Sequence, residues 1–309
     1  MKKIFIDGSA GTTGLRIRER LAERTDIELI TLPESLRKEE AARRSALNHA
    51  DVAFLCLPDD AAREAVGMIE NPTTVVIDTS TAHRTAPDFA YGFPELSPDF
   101  EANIRHAKRI AVPGCHASGF IALVYPLIKS GILSPSSRLS CHSVTGYSGG
   151  GKKMIAEYEE ADRNPLLCAP RQYALTQEHK HLKEMKAITG LDKAPVFCPI
   201  VSDFYSGMLV TVPLFAEDLI NASVSDIKDI YAKSYDTPVV RYRESSDENG
   251  FLSAAGLSGR DSMEISVFGN EERILLVARY DNLGKGASGA AVECLNLVMG
   301  CDPTTGLIL

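Results

Sequence analysis

The chain has 309 residues, of which 44% are hydrophobic and 24% charged, and its formal net charge is −8 at pH 7. The length predicts two domains, or one domain with a large insertion, and the composition is ordinary for a soluble globular protein. The acidic balance gives no electrostatic footprint for nucleic acid or for an anionic membrane. No apolar run reaches the roughly 18 residues that a transmembrane helix requires.

The cysteines are odd in number and scattered along the chain, without paired C-x-x-C spacing. They are Cys56, Cys115, Cys141, Cys168, Cys198, Cys294 and Cys301. This pattern indicates neither a disulfide framework nor a cysteine zinc site, so the sequence predicts no metal. Reduced thiols in the cytoplasm are the simplest expectation.

The first 23 residues have the pattern strand, glycine loop, helix. Residues 3–7 form a compact apolar run, and residues 15–23 have helical apolar spacing. The loop between them has the spacing G-x-x-G-x-x-G rather than the usual dinucleotide fingerprint, so a plain tight turn is the alternative. Glycines in this position allow backbone N–H groups to approach a pyrophosphate at the helix N-terminus. The predicted cofactor-binding residues here are Gly8, Ser9, Ala10, Gly11, Thr12, Thr13 and Gly14.

The segment after the second predicted strand, residues 26–31, bears on the choice of cofactor. An enzyme that uses NAD usually places an acidic residue here to hold the ribose 2′-hydroxyl. Glu34 could do so, but Ser35, Arg37 and Lys38 suit a 2′-phosphate. We therefore predict NADP, with Ser35 and Arg37 as ligands. The alternative is that the cationic residues only cover a solvated helix face.

Two further strands are predicted at 51–58 and 74–78. Polar residues that follow the carboxyl end of a parallel strand lie on the ligand side of the sheet. Ser80 is therefore predicted to contact the cofactor. Arg84 could bind a phosphate or pair with Asp78.

Cys115 follows a predicted strand at 109–112 and a Pro-Gly turn, at the start of an apolar helix. A thiol at that position faces unpaired backbone N–H groups and the positive end of the helix dipole, which favour the thiolate. The alternative is a small buried hydrophobic residue. Because Cys115 and the glycine loop project from the same edge of a parallel sheet, we predict that Cys115 is a nucleophile.

A glycine-rich segment with lysines follows the next predicted strand, residues 137–145. Ser148, Gly149 and Lys152 could hold a phosphate through backbone amides and charge, and a flexible connection is the alternative. A helix is then predicted to begin at a Thr176 cap. It would place His179 and His181 on different sides, which makes them a poor metal pair. One of them could be the acid/base that a thiol nucleophile requires.

The rest of the chain alternates mostly antiparallel strands, predicted at 195–202, 207–215, 238–241, 263–268 and 273–280. A helix is predicted at 223–233, and a small-residue loop containing Asn282 leads into a last helix at 290–299 and could pack against the cofactor. The predicted fold is α/β: a Rossmann-type doubly wound domain (1–114 and 285–309) and an α+β domain with a large mixed or antiparallel sheet (115–284).

Seven blocks together resemble one family. They are GSAGTTG at 8–14, DTSTAHR at 78–84, YGFPEL at 91–96, VPGCHASG at 112–119, TGYSGGGK at 145–152, EHKH at 178–181 and DNLGKGASGAA at 281–291. The chain resembles the shorter branch of the N-acetyl-gamma-glutamyl-phosphate reductases of arginine biosynthesis. That family is similar in fold to aspartate-semialdehyde and glyceraldehyde-3-phosphate dehydrogenases. The chain departs from the commoner branch by reading EHKHLKEM around its histidines.

The resemblance implies an oxidoreductase that reduces N-acetylglutamyl 5-phosphate with NADPH through a thioester on Cys115. It implies His181, or else His179, as acid/base. It makes Arg84, Ser148, Gly149 and Lys152 candidates for the substrate phosphate or the nicotinamide side, and Asn282 a candidate cofactor ligand. The same chemistry on aspartyl or aminoadipyl phosphate is one alternative, and a sensor that binds NADP without turnover is another. The strand-rich second domain predicts a homodimer or homotetramer.

Overall fold

The structure is a computed structural model that describes all residues from Met1 to Leu309. Contacts within the chain define two compact units. The first comprises Met1–Pro94, Pro98–Pro113 and Ala287–Leu307, and the second comprises Glu95–Ser97, Gly114–Gly286 and Ile308–Leu309. The division departs from the expected one at Glu95–Ser97, at Gly114, at residues 285–286 and at the last two residues, all of which belong to the second unit. None of the helices has both the length and the apolar character needed to cross a membrane.

The chain forms thirteen strands and nine α-helices. The strands are β1 (Lys2–Asp7), β2 (Ile27–Ile30), β3 (Val52–Leu55), β4 (Val75–Asp78), β5 (Ala90–Tyr91), β6 (Arg109–Ala111), β7 (Ser140–Gly146), β8 (Arg171–Gln172), β9 (Val196–Ser202), β10 (Met208–Phe215), β11 (Val240–Tyr242), β12 (Met263–Gly269) and β13 (Arg273–Tyr280). The helices are α1 (Thr12–Leu21), α2 (Glu40–His49), α3 (Asp59–Gly67), α4 (Pro98–His106), α5 (Cys115–Lys129), α6 (Gly151–Glu159), α7 (His181–Thr189), α8 (Val224–Ser234) and α9 (Gly289–Met299).

The first unit is built on a parallel sheet with the strand order β2-β1-β3-β4-β6-β5. Side chains of β1 alternate between its two faces, as the pleat requires. Ile4 and Ile6 join a core that includes residues of α1, α4 and α9. Phe5 joins a second core with residues of α2 and α3. Helices cover both faces of the sheet, which confirms the predicted doubly wound domain.

The second unit is built on a mixed sheet with the strand order β11-β12-β13-β10-β7-β9-β8. Two neighbouring pairs, β7 with β9 and β11 with β12, are parallel, and the other pairs are antiparallel. Along β10 buried residues alternate with half-exposed ones, and α5 packs against β10 and β13. The predicted mixed sheet is confirmed.

Helix α5, which begins with Cys115, is held in place by two tyrosines at the C-terminal end of α8, more than 100 residues further along the chain. Pro126 lies inside α5 and has no N–H to donate to the carbonyl of Ala122, four residues earlier. The hydroxyl of Tyr235, just after α8, donates to that carbonyl at 2.6 Å instead. The hydroxyl of Tyr231 donates to the carbonyl of Leu123. A polar contact from α8 therefore replaces the hydrogen bond that proline removes.

One local prediction in the second unit is wrong. Helix α7 begins at His181 rather than after a cap at Thr176, because Ala174 and Gln177 adopt left-handed backbone conformations with φ of 52° and 59°. The flexible connection that was the alternative for the glycine-rich segment after β7 is not observed. The segment forms a 3-10 turn at Tyr147–Gly150 and continues into α6.

Candidate active site

A pocket of about 730 Å³ opens in the first unit beside the glycine loop. It is lined by residues of the β1 end, the segment after β2 and the start of α3, among them Gly8, Ser9 and Ala10. Gly8 has a φ of +86°, and a Cβ there would lie 2.2 Å from the carbonyl oxygen of Cys56, so only glycine fits. The volume and the exposed loop suit a dinucleotide. Gly11, Thr12, Thr13 and Gly14 lie at the start of α1, outside the pocket lining.

The charged residues of this pocket are of two kinds. Arg43 of α2 is half-buried and held by Asp7, whose carboxylate accepts from Nε at 3.1 Å and from Nη2 at 2.9 Å. Arg37, Lys38 and Glu34 line the pocket in the exposed segment after β2. Ser35 lies in the same segment but outside the lining. The pocket lining thus includes the cationic side chains Arg37 and Lys38, and a contact of either with a 2′-phosphate remains a prediction.

The polar side chains that follow β4 form hydrogen bonds with one another and with nearby backbone carbonyls. The buried carboxylate of Asp78 accepts from the Ser80 hydroxyl at 2.7 Å and lies 2.6 Å from Nδ1 of His83. Arg84 is buried, and its guanidinium donates to the carbonyl oxygens of Val112 at 2.9 Å and Thr79 at 3.0 Å. The contacts of Ser80 with cofactor and of Arg84 with phosphate remain predictions.

Cys115 is the first residue of α5 and is half-buried. The backbone before and after its thiol is fixed by long-range contacts: Gly114 N–H donates to Glu184 Oε1 at 2.8 Å, and the Tyr280 hydroxyl donates to the carbonyl of Cys115. A Cβ on Gly286 would lie 3.1 Å from the Cβ of Cys115. The loop at 281–286 is therefore packed directly against the thiol-bearing residue.

A cluster of rings adjoins Cys115, centred on His116 and Phe197. The ring centroids of His179 and His181 are 4.7 Å apart, and those of His116 and His181 are 5.6 Å apart. The backbone N–H of His181 donates to Nδ1 of His179 at 3.2 Å. The prediction that the two histidines point to different sides of a helix is therefore wrong, because only His181 belongs to α7.

Burial determines the protonation of His116 and of two nearby tyrosines, Tyr173 and Tyr280. It lowers the pKa of His116 to about 3, assisted by the nearby His179, so His116 is neutral at physiological pH. Burial, and after it the charge of Cys115, raises the pKa of Tyr173 and of Tyr280. Both phenols therefore keep their protons beside a thiolate.

The other predicted site residues of the second unit lie around the 3-10 turn at Tyr147–Gly150. The amide of Asn282 donates to the Ser148 hydroxyl at 3.0 Å, and its oxygen accepts from Gly207 N–H at 2.9 Å. A Cβ on Gly149 would lie 3.5 Å from the same amide nitrogen. Lys152 is exposed in the first turn of α6. Asn282 thus joins two loops, and its contact with cofactor, like the phosphate contacts of Ser148, Gly149 and Lys152, stays a prediction.

Sequence reasoning missed Ser143, Tyr173 and Glu184. Glu184 had a usable signal, because it lies three residues after His181 and thus on the same helix face. Ser143 and Tyr173 had none, since their contacts with His116 span 27 and 57 residues.

The fold and the thiol site define a class of protein. Two family models match the chain: "Semialdehyde dehydrogenase, NAD binding domain" over residues 3–104 and "Semialdehyde dehydrogenase, dimerisation domain" over residues 115–282. The aspartate semialdehyde dehydrogenase II structure from Vibrio cholerae shares the fold, with a TM-score of 0.74 at 17% identity over 97% of this chain and 98% of that one. The corresponding enzyme from Francisella tularensis has a TM-score of 0.72 at 15% identity, over 97% of this chain and all of that one. The chain is an oxidoreductase of the semialdehyde dehydrogenase class that uses a nicotinamide dinucleotide.

Within that class, the more similar relatives share one name. An N-acetyl-gamma-glutamyl-phosphate reductase of Sinorhizobium medicae is 47% identical over 96% of this chain and 98% of its own length. N-acetyl-gamma-glutamyl-phosphate reductase 2 of a Nostoc species is 45% identical over 99% of both chains. This chain belongs to the N-acetyl-gamma-glutamyl-phosphate reductase family.

Proposed function

We propose that this chain reduces N-acetylglutamyl 5-phosphate to N-acetylglutamate 5-semialdehyde with NADPH, in arginine biosynthesis. The observation that carries the proposal is Cys115 at the N-terminus of α5, beside the buried imidazoles of the second unit. The helix start stabilises a thiolate, and the family supplies the substrate class. A thiol nucleophile and seven cysteines outside disulfides suit the reducing cytoplasm.

In this mechanism Cys115 Sγ attacks the acyl carbon, and the bond from that carbon to the phosphate oxygen breaks. Inorganic phosphate leaves and a thioester remains, so one difficult reduction becomes two easier steps. When bound, the nicotinamide supplies the hydride that reduces the acyl carbon. The oxyanion left on that carbon takes a proton to give a thiohemiacetal. The thiohemiacetal then returns the proton, the C–S bond breaks, and the semialdehyde leaves while the thiolate is restored.

We assign the proton transfers to the imidazole pair, His181 first and His179 second. His179 Nδ1 accepts a backbone N–H, so the proton of its neutral ring is on Nε2. His181 is buried on α7, the helix whose Glu184 holds Gly114. The pH profiles of kcat for His181→Gln and His179→Gln identify which imidazole carries the proton.

The test of the proposed function is phosphate-dependent oxidation of N-acetylglutamate 5-semialdehyde, followed as the absorbance of NADPH formed. Aspartate semialdehyde is the control substrate. We expect turnover of the acetylated substrate and little of the control. Turnover of aspartate semialdehyde alone would support the proposed mechanism but show that the proposed substrate is wrong. Binding of NADPH without turnover of either would favour the sensor.

The proposed preference for NADPH gives a prediction for Arg37. Its guanidinium lines the pocket, and its one hydrogen bond, to the carbonyl of Leu32, is 3.4 Å long. We expect Arg37→Ala to lower kcat/KM for NADPH by about 10- to 100-fold, the value of a hydrogen bond to a charged group, and to leave NADH almost unaffected. Arg44→Ala is the control, because Arg44 pairs with Glu40 and Glu70. An equal loss with both cofactors would contradict the 2′-phosphate contact.

We also infer a homodimer formed by the sheet face opposite α5. Val210 of β10 faces Gly119 of α5, so Leu209 and Pro213 face the other side. In the pairing register Leu209 lies beside Val144, and Leu275, which is 42% exposed, lies beside Pro213. This apolar face coincides with the segment that matches a dimerisation domain.

The dimer proposal predicts that Leu209→Arg yields monomers, because the charge would be buried without a partner in a symmetric interface. Sedimentation equilibrium measures the mass. Leu166→Arg is the control, since Leu166 is 70% exposed and lies outside the sheet. A monomeric mass for the wild-type chain would refute the proposal.

A further inference from the structure

The side chains of Ser143, His116 and Tyr173 form a hydrogen-bonded row, and His116 is the residue after Cys115. Nδ1 of His116 lies 2.7 Å from the Ser143 hydroxyl oxygen, and Nε2 lies 2.6 Å from the Tyr173 hydroxyl oxygen. Ser143, on β7, is completely buried, and His116 is 3% exposed. Tyr173, just after β8, is half-buried. The proposed mechanism has no use for this row.

The direction of the hydrogen bonds that join His116 to Ser143 and to Tyr173 follows from the number of protons that each side chain carries. The neutral His116 ring carries one proton and has one acceptor nitrogen. Proton placement on Nδ1 would make Ser143 an acceptor and leave its own O–H, fully buried, with nothing to donate to. Proton placement on Nε2 lets Ser143 donate to Nδ1 and His116 donate to Tyr173. The second arrangement satisfies the fully buried hydroxyl, so the row runs from Ser143 through His116 to Tyr173.

With this direction, the phenolic O–H of Tyr173, at the more exposed end of the row, is the one donor without an acceptor in the row. The Tyr173 oxygen accepts from His116, so its phenolic proton is directed elsewhere, and the structure holds no second partner for that hydroxyl. Tyr280 differs, because its hydroxyl already donates to the carbonyl of Cys115 and accepts from Gly119 N–H at 3.0 Å. Each donor in the row also polarises the next, which strengthens the last O–H as a donor.

We propose that Tyr173 is a further catalytic residue, whose hydroxyl donates a hydrogen bond to the oxygen of the acyl group carried by Cys115. The proposal rests on the proposed function. The oxygen gains negative charge as the thioester becomes a thiohemiacetal, and a preoriented O–H stabilises that charge. The proton stays on the phenol throughout, so the exchange of protons remains with the imidazole pair. Ser143 and His116 act as positioning residues.

Electrostatics supports this placement. The charge of Cys115 adds to burial in raising the pKa of Tyr173, which means that a negative charge at the thiol favours the protonated phenol. His116 cannot take the role itself, because both its nitrogens are used and burial keeps it neutral. The other titratable groups around this segment are His179 and His181, whose rings contact each other, Glu184, which accepts from Gly114 N–H, and Tyr280, which donates to the Cys115 carbonyl.

The test compares Tyr173→Phe with Tyr242→Phe, a matched control on β11 whose hydroxyl bonds only Glu244. We expect Tyr173→Phe to lower kcat about 100-fold with KM nearly unchanged, because the interaction strengthens only as charge develops. Ser143→Ala should lower kcat by less. The double variant should resemble Tyr173→Phe alone, since the two residues act through one row.

A second readout needs no substrate. We expect Tyr173→Phe to move the pH midpoint of Cys115 alkylation by iodoacetamide upward by about half a unit, because the thiolate loses a nearby donor dipole. A wild-type kcat or a wild-type midpoint in Tyr173→Phe overturns the proposal. If the wild-type chain reduces no acyl phosphate, the proposed function fails, and the alkylation midpoint alone decides whether Tyr173 serves the anion at Cys115.

Discussion

Cys115→Ser is expected to lower turnover of N-acetylglutamate 5-semialdehyde by at least about 10⁴-fold, the scale of loss when a covalent nucleophile is removed. A serine hydroxyl at the same helix start ionises far less readily than a thiol, and the dipole of α5 cannot compensate for that difference. The fold should persist, because Cys115 is only half-buried and serine has nearly the same shape. The assay is the phosphate-dependent formation of NADPH, with nucleotide binding as the measure of an intact first unit.

Cys168→Ser provides the matched control. Cys168 is an exposed cysteine of the same unit, so its loss should leave turnover unchanged. Acyl phosphate added to the wild-type chain without nicotinamide should release about one phosphate per active site and leave an acyl adduct on Cys115, detectable by mass. Cys115→Ser that keeps more than about 1% of the activity, or an adduct on another residue, would contradict the thioester route.

The sequence revealed those parts of the fold whose signals are local. The first βα unit combines an apolar strand, a turn and a helix with 3.6-residue periodicity, so it was predicted, whereas helix α4 was not. Strands β5 and β8 have two residues each, too few for any periodicity. They exist because neighbouring strands offer edges to pair with.

The false start of α7 has a tertiary cause. Gln177 adopts a left-handed backbone conformation, which is uncommon for a residue other than glycine. Its side-chain amide donates to the carbonyl of Phe197 at 2.7 Å, and its side-chain oxygen accepts from Phe197 N–H at 2.8 Å. These bonds to β9 hold the turn that places His179 beside His181. No local sequence pattern predicts them.

In the candidate site, too, the features with local sequence signals could be predicted and those that depend on tertiary contacts could not. The position of Cys115 could be predicted because strand, turn and helix are contiguous in sequence. The supports of that position could not, since Glu184 reaches Gly114 across 70 residues and Tyr280 reaches Cys115 across 165. Arg84 illustrates a different case: the sequence left open whether it binds a phosphate or pairs with Asp78, and its bonds to the carbonyls of Val112 and Thr79 could not be read from any local pattern.

The largest effect on stability is expected at Lys285, which precedes the glycine packed against Cys115. Its ammonium group donates to both carboxylate oxygens of Glu95, at 2.8 and 2.7 Å, and the two side chains are only 1% and 5% exposed. Lys285→Met leaves the Glu95 carboxylate buried without its counter-charge. Removal of one partner from a buried ion pair destabilises a protein by about 3–5 kcal/mol.

The double variant separates the charge effect from a packing effect. In Lys285→Met combined with Glu95→Gln no buried charge remains, so we expect most of the lost stability to return. Urea unfolding followed by circular dichroism gives the free energies, and Lys228→Met is the control, because its ion pair with the 68% exposed Glu244 contributes at most about 1 kcal/mol. If Lys285→Met alone lost less than about 1 kcal/mol, or if the double variant were no more stable than the single one, the charge argument would be wrong. The single variant should also lose turnover, since Lys285 fixes the loop whose Gly286 lies against Cys115.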